Sequence, residues 1–222
     1  MNLDFSPVWQ GWPYLMQGAL VTIEVTSSAL LLSVSLGLLI GIGRLNPKRR
    51  VIYGLASAYV TFIRGTPLLV QLFLLYFGLP QFNIMLPAFV CGTLGLGIYS
   101  AAYVSEIVRG AIQSIDHGQV EAARSIGMSS RQAMRVIILP QAALRMIPPF
   151  GNEFIALIKN SALVSLLTIS DLMHEAQIII STSYRSLEVY LAVAFIYLIL
   201  TNAAGFALRL IERRMKAGGI LQ

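Results

Sequence analysis

The sequence predicts an all-α polytopic membrane protein with five transmembrane helices, on the basis of its composition, its uncharged stretches and the positions of its basic residues. Of the 222 residues, 56% are hydrophobic and only 12% are charged. Soluble globular domains carry about 25% charged residues. The composition therefore argues against an ordinary soluble enzyme and against a disordered chain. At ~20 residues per span, a chain of this length has room for about five or six spans with their loops.

Long uncharged stretches locate the spans. The predicted spans cover about 15–43, 51–79, 87–108, 146–170 and 189–208, within a single transmembrane domain of residues 1–222. A bilayer offers the backbone no hydrogen-bond partners, so each span is expected to be a helix. Two of the spans reach full length only by passing charged side chains, namely Arg64 in the second and Glu153 and Lys159 in the fourth.

The basic residues predict the orientation. Thirteen of the sixteen Lys and Arg residues lie in three segments, 44–50, 109–145 and 209–216. Five spans place all three segments on one side, and lysine and arginine accumulate on the cytoplasmic side. We therefore expect the N-terminus outside and the C-terminus in the cytoplasm. The net charge of +6 is then explained by topology, and no nucleic-acid partner is expected.

The longest cytoplasmic segment, 109–145, is predicted to be structured. A short helix over 119–126 is expected to end at Gly127, since glycine readily adopts the left-handed conformation at a helix C-terminus. Ser129 and Gln132 have the spacing of a capping box. This capping box predicts a second helix, which is expected to run to Leu139 and to stop before Pro140.

Three functions are compatible with this helix–turn–helix segment. A DNA-binding motif is disfavoured because two spans hold the pair close to the bilayer, where a recognition helix could not easily enter a major groove. A purely structural loop is the second interpretation. The third, a docking helix for a cytoplasmic partner, is favoured by the residues themselves.

Those residues resemble the EAA loop of ABC-importer permeases. The pattern is Glu121-Ala122-Ala123, three residues, Gly127, nine residues and Ile137-x-Leu139-Pro140. The stretches Arg64–Gln71, Ala101–Glu106 and Gly151–Ile155 with Lys159 are similar to permeases for polar amino acids, the branch that serves histidine, glutamine, glutamate, arginine and cystine. The similarity covers about residues 10–216.

The resemblance implies a type I ABC-importer permease fold and a non-catalytic permease subunit of the bacterial inner (cytoplasmic) membrane. The chain has no G-x-x-x-x-G-K-[ST] loop, so ATP and Mg are expected in a partner ATPase, with no cofactor and no metal in this chain. Implied partners are an ABC ATP-binding subunit dimer, a second permease, an extracytoplasmic amino-acid-binding protein and membrane lipid. The alternative is a secondary amino acid transporter or a channel. The residues implied in ATPase coupling are Glu121, Ala122, Ala123, Ser125, Gly127 and Met128.

Polar residues within the spans are the substrate-site candidates, because buried polarity in a membrane is usually functional. They are Arg64, Gly65, Thr66, Leu69, Tyr99, Ser100, Glu153, Lys159 and Ser161. The sequence suggests that the helix break at Pro67, helped by Lys159, receives a substrate α-carboxylate, and that Glu153 receives the α-ammonium.

Alternative roles compete for three of the charged residues. Arg64 could instead bond backbone carbonyls between helices. Glu106 and Arg109, three residues apart, are expected to form a local ion pair.

Two positions depart from the family pattern. Tyr99 stands where many relatives have Asn, and Asn160 stands where relatives often have Asp. Both changes bear on which substrate the site recognises.

Overall fold

All regular structure in the described part of the chain is helical. The computed structural model describes residues 3–217, so residues 1–2 and 218–222 of the predicted single domain lie outside it. The α-helices are α1 (Ser6–Gly43), α2 (Arg50–Gly65), α3 (Leu68–Phe73), α4 (Ala88–Gln113), α5 (His117–Ser125), α6 (Ser130–Ala133), α7 (Leu139–Asn160), α8 (Leu172–Ser183) and α9 (Ser186–Ala217). Short π-helical segments cover Leu74–Gly78 and Met134–Ile138, and 3₁₀ segments cover Leu79–Phe82 and Ser161–Leu167.

Three helices, α1, α4 and α9, are long and apolar enough to cross a membrane on their own. Two further spans result if each of two bent helix pairs counts as one. The pairs are Arg50–Gly65 with Leu68–Phe82, bent by 106°, and Ser130–Leu167 with Leu172–Ser183, bent by 52°. The all-helical membrane class is confirmed. The count of five spans stays a prediction, since three to five are possible.

Close packing of α1 against α4 forms the centre of the fold. Gly37 and Gly41 of α1 face α4, and a Cβ atom on Gly41 would lie only 2.9 Å from the Ser105 carbonyl oxygen and from Val108. Small residues at a helix interface let two backbones approach closely, which is how membrane helices gain packing energy. The apolar core continues along α4 and includes the buried residues Leu96, Val104 and Val108.

The second predicted span is broken at the expected place, but the bend is sharp. Thr66 and Pro67 both have extended backbone angles (φ −123°, ψ 145° and φ −64°, ψ 138°). A residue that precedes proline is sterically biased away from the helical region, so α2 ends and α3 starts in a new direction. The predicted break is therefore confirmed, and the stretch 51–79 contains two helices with different directions.

The prediction that the second cytoplasmic helix stops before Pro140 is wrong. The chain passes from α6 through the π-helical segment directly into α7. The Leu139 N–H donates to the Met134 carbonyl, five residues back. This wider turn accommodates Pro140, whose ring would clash in a regular helix interior. The cytoplasmic helix pair is thus continuous with the membrane helix.

The fourth predicted span, 146–170, is also built differently. Helix α7 ends at Asn160, a 3₁₀ segment follows, and a separate helix α8 fills what sequence reasoning left as an outer loop. The Asp171 carboxylate accepts a 3.0 Å hydrogen bond from the His174 N–H and caps α8. The Leu172 N–H donates to the Thr22 hydroxyl at 3.2 Å, which joins α8 to α1.

Candidate functional site

The break between α2 and α3 has its own internal hydrogen-bond donor. Pro67 has no N–H, so the Ile63 carbonyl, four residues earlier, loses its helical partner. The buried Gln71 amide replaces it, since Nε2 donates to the Ile63 carbonyl at 2.9 Å and to the Thr66 hydroxyl at 2.8 Å. Sequence reasoning missed Gln71, although its position one turn after the proline is the signal that could have found it.

Glu153 and Ser100 meet, although 53 residues separate them in the chain. The Ser100 hydroxyl donates a 2.7 Å hydrogen bond to Glu153 Oε1, which links α4 to α7. Ser100 is buried and Glu153 is half-buried. Among residues 3–217, Glu153 forms no ion pair. Its carboxylate therefore has no charged partner of its own.

Three arginines lie close to the Glu106 carboxylate. Its Oε1 lies 2.6 Å from Arg44 Nη1, and its Oε2 lies 2.7 Å from Arg109 Nη2. Arg64 Nη1 is more distant, at 3.7 Å from Oε1. The expected local pair of Glu106 with Arg109 is confirmed. Arg44, at the C-terminal end of α1, was not predicted to take part. The sequence feature that could have identified Arg44 is its position at the end of an uncharged span.

Arg64 lies against an aromatic side chain. Its guanidinium carbon is 5.3 Å from the centroid of the Tyr103 ring, a cation–π distance. The Tyr103 hydroxyl lies 3.0 Å from the Tyr99 hydroxyl, one helical turn away on α4. Tyr103 was not among the predicted site residues.

These contacts define a polar strip along one side of α4, with a charged residue of another helix beside each end. We call it the α4 strip; its members are Tyr99, Ser100, Tyr103 and Glu106. Glu153 of α7 lies beside one end and Arg64 of α2 beside the other. The 3.7 Å contact puts Arg64 and Glu106 within one side-chain length of each other.

The remaining predicted substrate residues have mixed positions. Gly65 and Thr66 lie at the break beside Arg64, and the half-buried Leu69 follows in α3. Lys159 is exposed and forms no ion pair within residues 3–217. The Ser161 hydroxyl is buried and donates to the Ile158 carbonyl at 2.8 Å, so its donor is used locally.

The predicted turn in the cytoplasmic segment has the expected geometry. Gly127 has φ +84°, in the left-handed region. The Met128 N–H donates to the Ala123 carbonyl and the Gly127 N–H to the Arg124 carbonyl, each at 3.0 Å. These two bonds are a Schellman motif, which ends a helix and reverses the chain.

The capping box of the next helix is also present. The Ser129 hydroxyl accepts from the Gln132 N–H at 3.3 Å, and the Gln132 side chain accepts from the Ser129 N–H at 2.9 Å. Both short helices therefore have defined ends.

Most of the predicted coupling residues are exposed, as contact with a partner protein requires. Glu121, Ala122, Ser125 and Gly127 are exposed and Met128 is half-buried, whereas Ala123 is buried against its own chain. Sequence reasoning missed Ile126, whose side chain is 74% exposed at the turn. This exposed isoleucine beside small residues forms an apolar knob at the turn.

Residues 33–217 match the family described as "Binding-protein-dependent transport system inner membrane component". The glutamine transport system permease protein GlnP of Escherichia coli is 38% identical, with 97% of this chain and 99% of that protein covered. The arginine transport system permease protein ArtQ of Bacillus subtilis is 34% identical, with 98% of this chain and 99% of that protein covered.

Solved structures agree with these relatives. A structure of an amino acid ABC transporter with histidines matches with a TM-score of 0.91 at 44% identity, covering 96% of this chain and all of the matched chain. An inward-facing structure of the MetNI methionine ABC transporter matches with a TM-score of 0.74 at 22% identity, covering 96% of this chain and 99% of the matched chain. The second likeness concerns the fold alone. The resemblance to permeases for polar amino acids is thereby confirmed, and the chain belongs to the family of inner membrane components of binding-protein-dependent transport systems.

Proposed function

We propose that this chain is the transmembrane permease subunit of an ATP-driven importer, which moves a polar amino acid across the bacterial inner membrane by alternating access. The capped turn at Gly127 carries the proposal, because it presents an exposed knob on a helix pair that continues into α7. Relatives named as glutamine and arginine permeases, matched over nearly their whole length, support the substrate class.

The proposed topology has five spans, with the N-terminus outside and the C-terminus in the cytoplasm. Each bent helix pair counts as one span. The distribution of lysine and arginine supports this orientation, since thirteen of the sixteen then lie on the cytoplasmic side.

The proposed substrate site is the α4 strip with the break beside it. The amino acid's ammonium group would meet Glu153, whose carboxylate Ser100 orients at 2.7 Å. Its carboxylate would meet Arg64 next to Gly65 and Thr66, with Leu69 and Tyr99 beside it. Lys159 and Ser161 flank the proposed site. The Ser161 hydroxyl already donates a hydrogen bond within its own segment, so it is not assigned a contact with the substrate.

The proposed coupling surface comprises Glu121, Ala122, Ser125, Gly127 and Met128, with Ala123 supporting it from below. An ABC ATP-binding subunit dimer would receive this surface and would bind ATP and Mg itself. Movement would reach the membrane through α6, the π-helical segment and α7. A second permease and an extracytoplasmic amino-acid-binding protein complete the assembly.

Co-purification tests the proposal. The chain is co-expressed with the ATP-binding subunit of its own organism, and the complex is isolated from detergent-solubilised membranes. We expect Gly127→Asp to lose the ATPase, because an aspartate at φ +84° is strained and adds a charge to the knob. Gly110→Asp is the matched control, since a Cβ at that helical position meets nothing within 4 Å. Full ATPase binding and normal uptake by Gly127→Asp would favour the secondary transporter instead.

A further inference from the structure

Arg64, which is proposed to receive the substrate carboxylate, is weakly held by its own contacts. Its 3.7 Å distance to Glu106 is longer than a hydrogen bond, and its side chain is 46% exposed. Its guanidinium carbon lies 5.3 Å from the centroid of the Tyr103 ring. Exposed ion pairs and single exposed cation–π contacts contribute little to stability. The place of the Arg64 guanidinium therefore depends mainly on where helix α2 lies.

Helix α2 has little apolar packing to fix its position. Of its sixteen residues, only Val60 and Ile63 are buried. Both belong to a small apolar cluster that includes the buried Ala102 of α4. The hydrophobic effect is non-directional, so two buried side chains restrain the sliding of α2 along α4 only weakly. The position of α2 therefore depends strongly on its polar contacts with α4.

A tyrosine hydroxyl supplies such a polar contact. The half-buried Tyr59 of α2 donates a 2.5 Å hydrogen bond to the carbonyl oxygen of Ile98 on α4. Within residues 3–217, this is the only hydrogen bond between the two helices. A hydrogen bond is directional, because it weakens steeply when donor and acceptor lose their alignment. The bond therefore defines where α2 lies relative to α4.

Both partners of this hydrogen bond lie next to the proposed substrate site. Ile98 directly precedes Tyr99 and Ser100, the first two members of the α4 strip. Tyr59 precedes Arg64 by five residues, which is ~7.5 Å along a helix. The bond thus connects the helix that carries Arg64 to the turn of α4 that begins the strip.

We propose that Tyr59 is a positioning residue for the substrate site and that it acts through Arg64. This proposal rests on the proposed function. The hydrogen bond to Ile98 holds α2 in the place from which one amino acid reaches both Arg64 and Glu153. A site that already has its bound geometry loses less free energy to ordering when the ligand binds. Without the hydroxyl, the Tyr59 ring stays in the apolar cluster, but α2 can shift along α4 and carry Arg64 away.

Tyr59→Phe tests the proposal, because it removes only the hydroxyl group. The dissociation constants of glutamine and arginine, used as probes, are measured by isothermal titration calorimetry on the purified permease–ATPase complex. The extracytoplasmic binding protein is left out because it binds amino acids itself. We expect Tyr59→Phe to weaken binding about fivefold, the change that corresponds to one net hydrogen bond. The maximal rate of ATP hydrolysis should stay that of the unaltered complex, since the coupling surface is unchanged.

Tyr53→Phe is the matched control. Tyr53 lies on the same helix and is also half-buried, but its hydroxyl makes no hydrogen bond within residues 3–217. This variant should bind both amino acids with the affinity of the unaltered complex. Thermal unfolding of both variants is compared, so that a loss of folded protein is distinguished from a shift of α2.

Arg64→Gln shows whether Tyr59 acts through Arg64. Two residues that influence binding through one contact have non-additive effects. We therefore expect Tyr59→Phe to cause no further loss of affinity when Arg64→Gln is already present. A merely structural role of Tyr59 would lower the affinity equally in both backgrounds.

The possible results separate the role of Tyr59 from the proposed substrate site. Unchanged affinity of Tyr59→Phe, or an equal loss in Tyr53→Phe, overturns the positioning role while the proposed function stands. A loss that is the same with and without Arg64→Gln also overturns it. If neither amino acid binds to the unaltered complex, the proposed substrate site itself is wrong.

Discussion

Ser100 and Glu153, on two different helices, are joined by a 2.7 Å hydrogen bond in which the serine hydroxyl donates to the carboxylate. The bond orients Oε1 toward α4 and leaves Glu153 without a cationic partner in the described residues. A half-buried carboxylate in a membrane helix costs solvation energy. This is the basis on which we propose that Glu153 receives a positively charged group of the ligand.

Glu153→Gln is expected to impair transport and to leave assembly intact. The amide keeps the shape of the side chain and its acceptor for Ser100 but has no charge to attract an ammonium group. We expect the KM for uptake to rise at least tenfold in reconstituted vesicles, with the ATPase still bound. Glu24→Gln removes an exposed carboxylate from α1 and should leave uptake unchanged. Normal uptake by Glu153→Gln would exclude the ammonium role.

Glu106→Gln is expected to destabilise the packing of α1, α2 and α4 around this carboxylate. The variant leaves three arginines close together without a counter-charge. Removing one partner of a fully buried ion pair costs about 3–5 kcal/mol. Glu106 is 23% exposed, so we expect a loss of roughly 2 kcal/mol, a discounted value for partial solvent screening.

Arg44→Gln and Arg64→Gln refine the Glu106 prediction. Arg44 makes the 2.6 Å contact and is 13% exposed, whereas Arg64 is at 3.7 Å and 46% exposed. Thermal unfolding of the purified complex in detergent should therefore show a clear drop in apparent Tm for Arg44→Gln and a small one for Arg64→Gln. The reverse order would contradict the assignment of Arg64 as the weakly held member.

Gln71→Leu is expected to destabilise the break between α2 and α3. Leucine has similar bulk but leaves the Ile63 carbonyl without its donor, and an unsatisfied buried carbonyl costs about 1–3 kcal/mol. Gln10→Leu, at an exposed position near the start of α1, should change stability by less than ~0.5 kcal/mol. Unfolding of both variants at one detergent concentration measures the difference. Equal stability of the two variants would show that the break does not depend on Gln71.

Two threonines one turn apart on α1 provide a matched pair of variants. Both are fully buried. The Thr22 hydroxyl accepts the Leu172 N–H from α8, whereas the Thr26 hydroxyl donates to the Thr22 carbonyl within its own helix. Thr22→Val therefore strands a buried N–H of another helix and should cost about 1–3 kcal/mol.

Thr26→Val should cost less than Thr22→Val, because the Thr22 carbonyl keeps its helical partner. The comparison is made by thermal unfolding of the two purified variants. If Thr26→Val lowers the thermal stability more than Thr22→Val, the hydrogen bond between α1 and α8 is not the more important of the two.

Sequence patterns determined the membrane class and the form of the turn at Gly127, and they predict the side on which the basic loops lie. The turn depends on residues that are close together in the sequence, and the membrane class depends on composition summed along the chain. A left-handed glycine and a capping box depend on residues within one turn of the chain, so Gly127, Ser129 and Gln132 were found without any knowledge of packing. The Glu106–Arg109 pair was found for the same reason, because its members lie three residues apart on one helix.

Only the tertiary structure decided which distant residues share a site. Ser100 and Glu153 are 53 residues apart, and Arg44 and Glu106 are 62 residues apart, so helix packing rather than periodicity brings them together. The direction of the chain after the predicted break at Pro67, and the π-helical turn before Pro140, were missed for a related reason. A proline predicts that a helix is disturbed, but the direction taken afterwards depends on which side chain replaces the lost donor and on how the next helix packs.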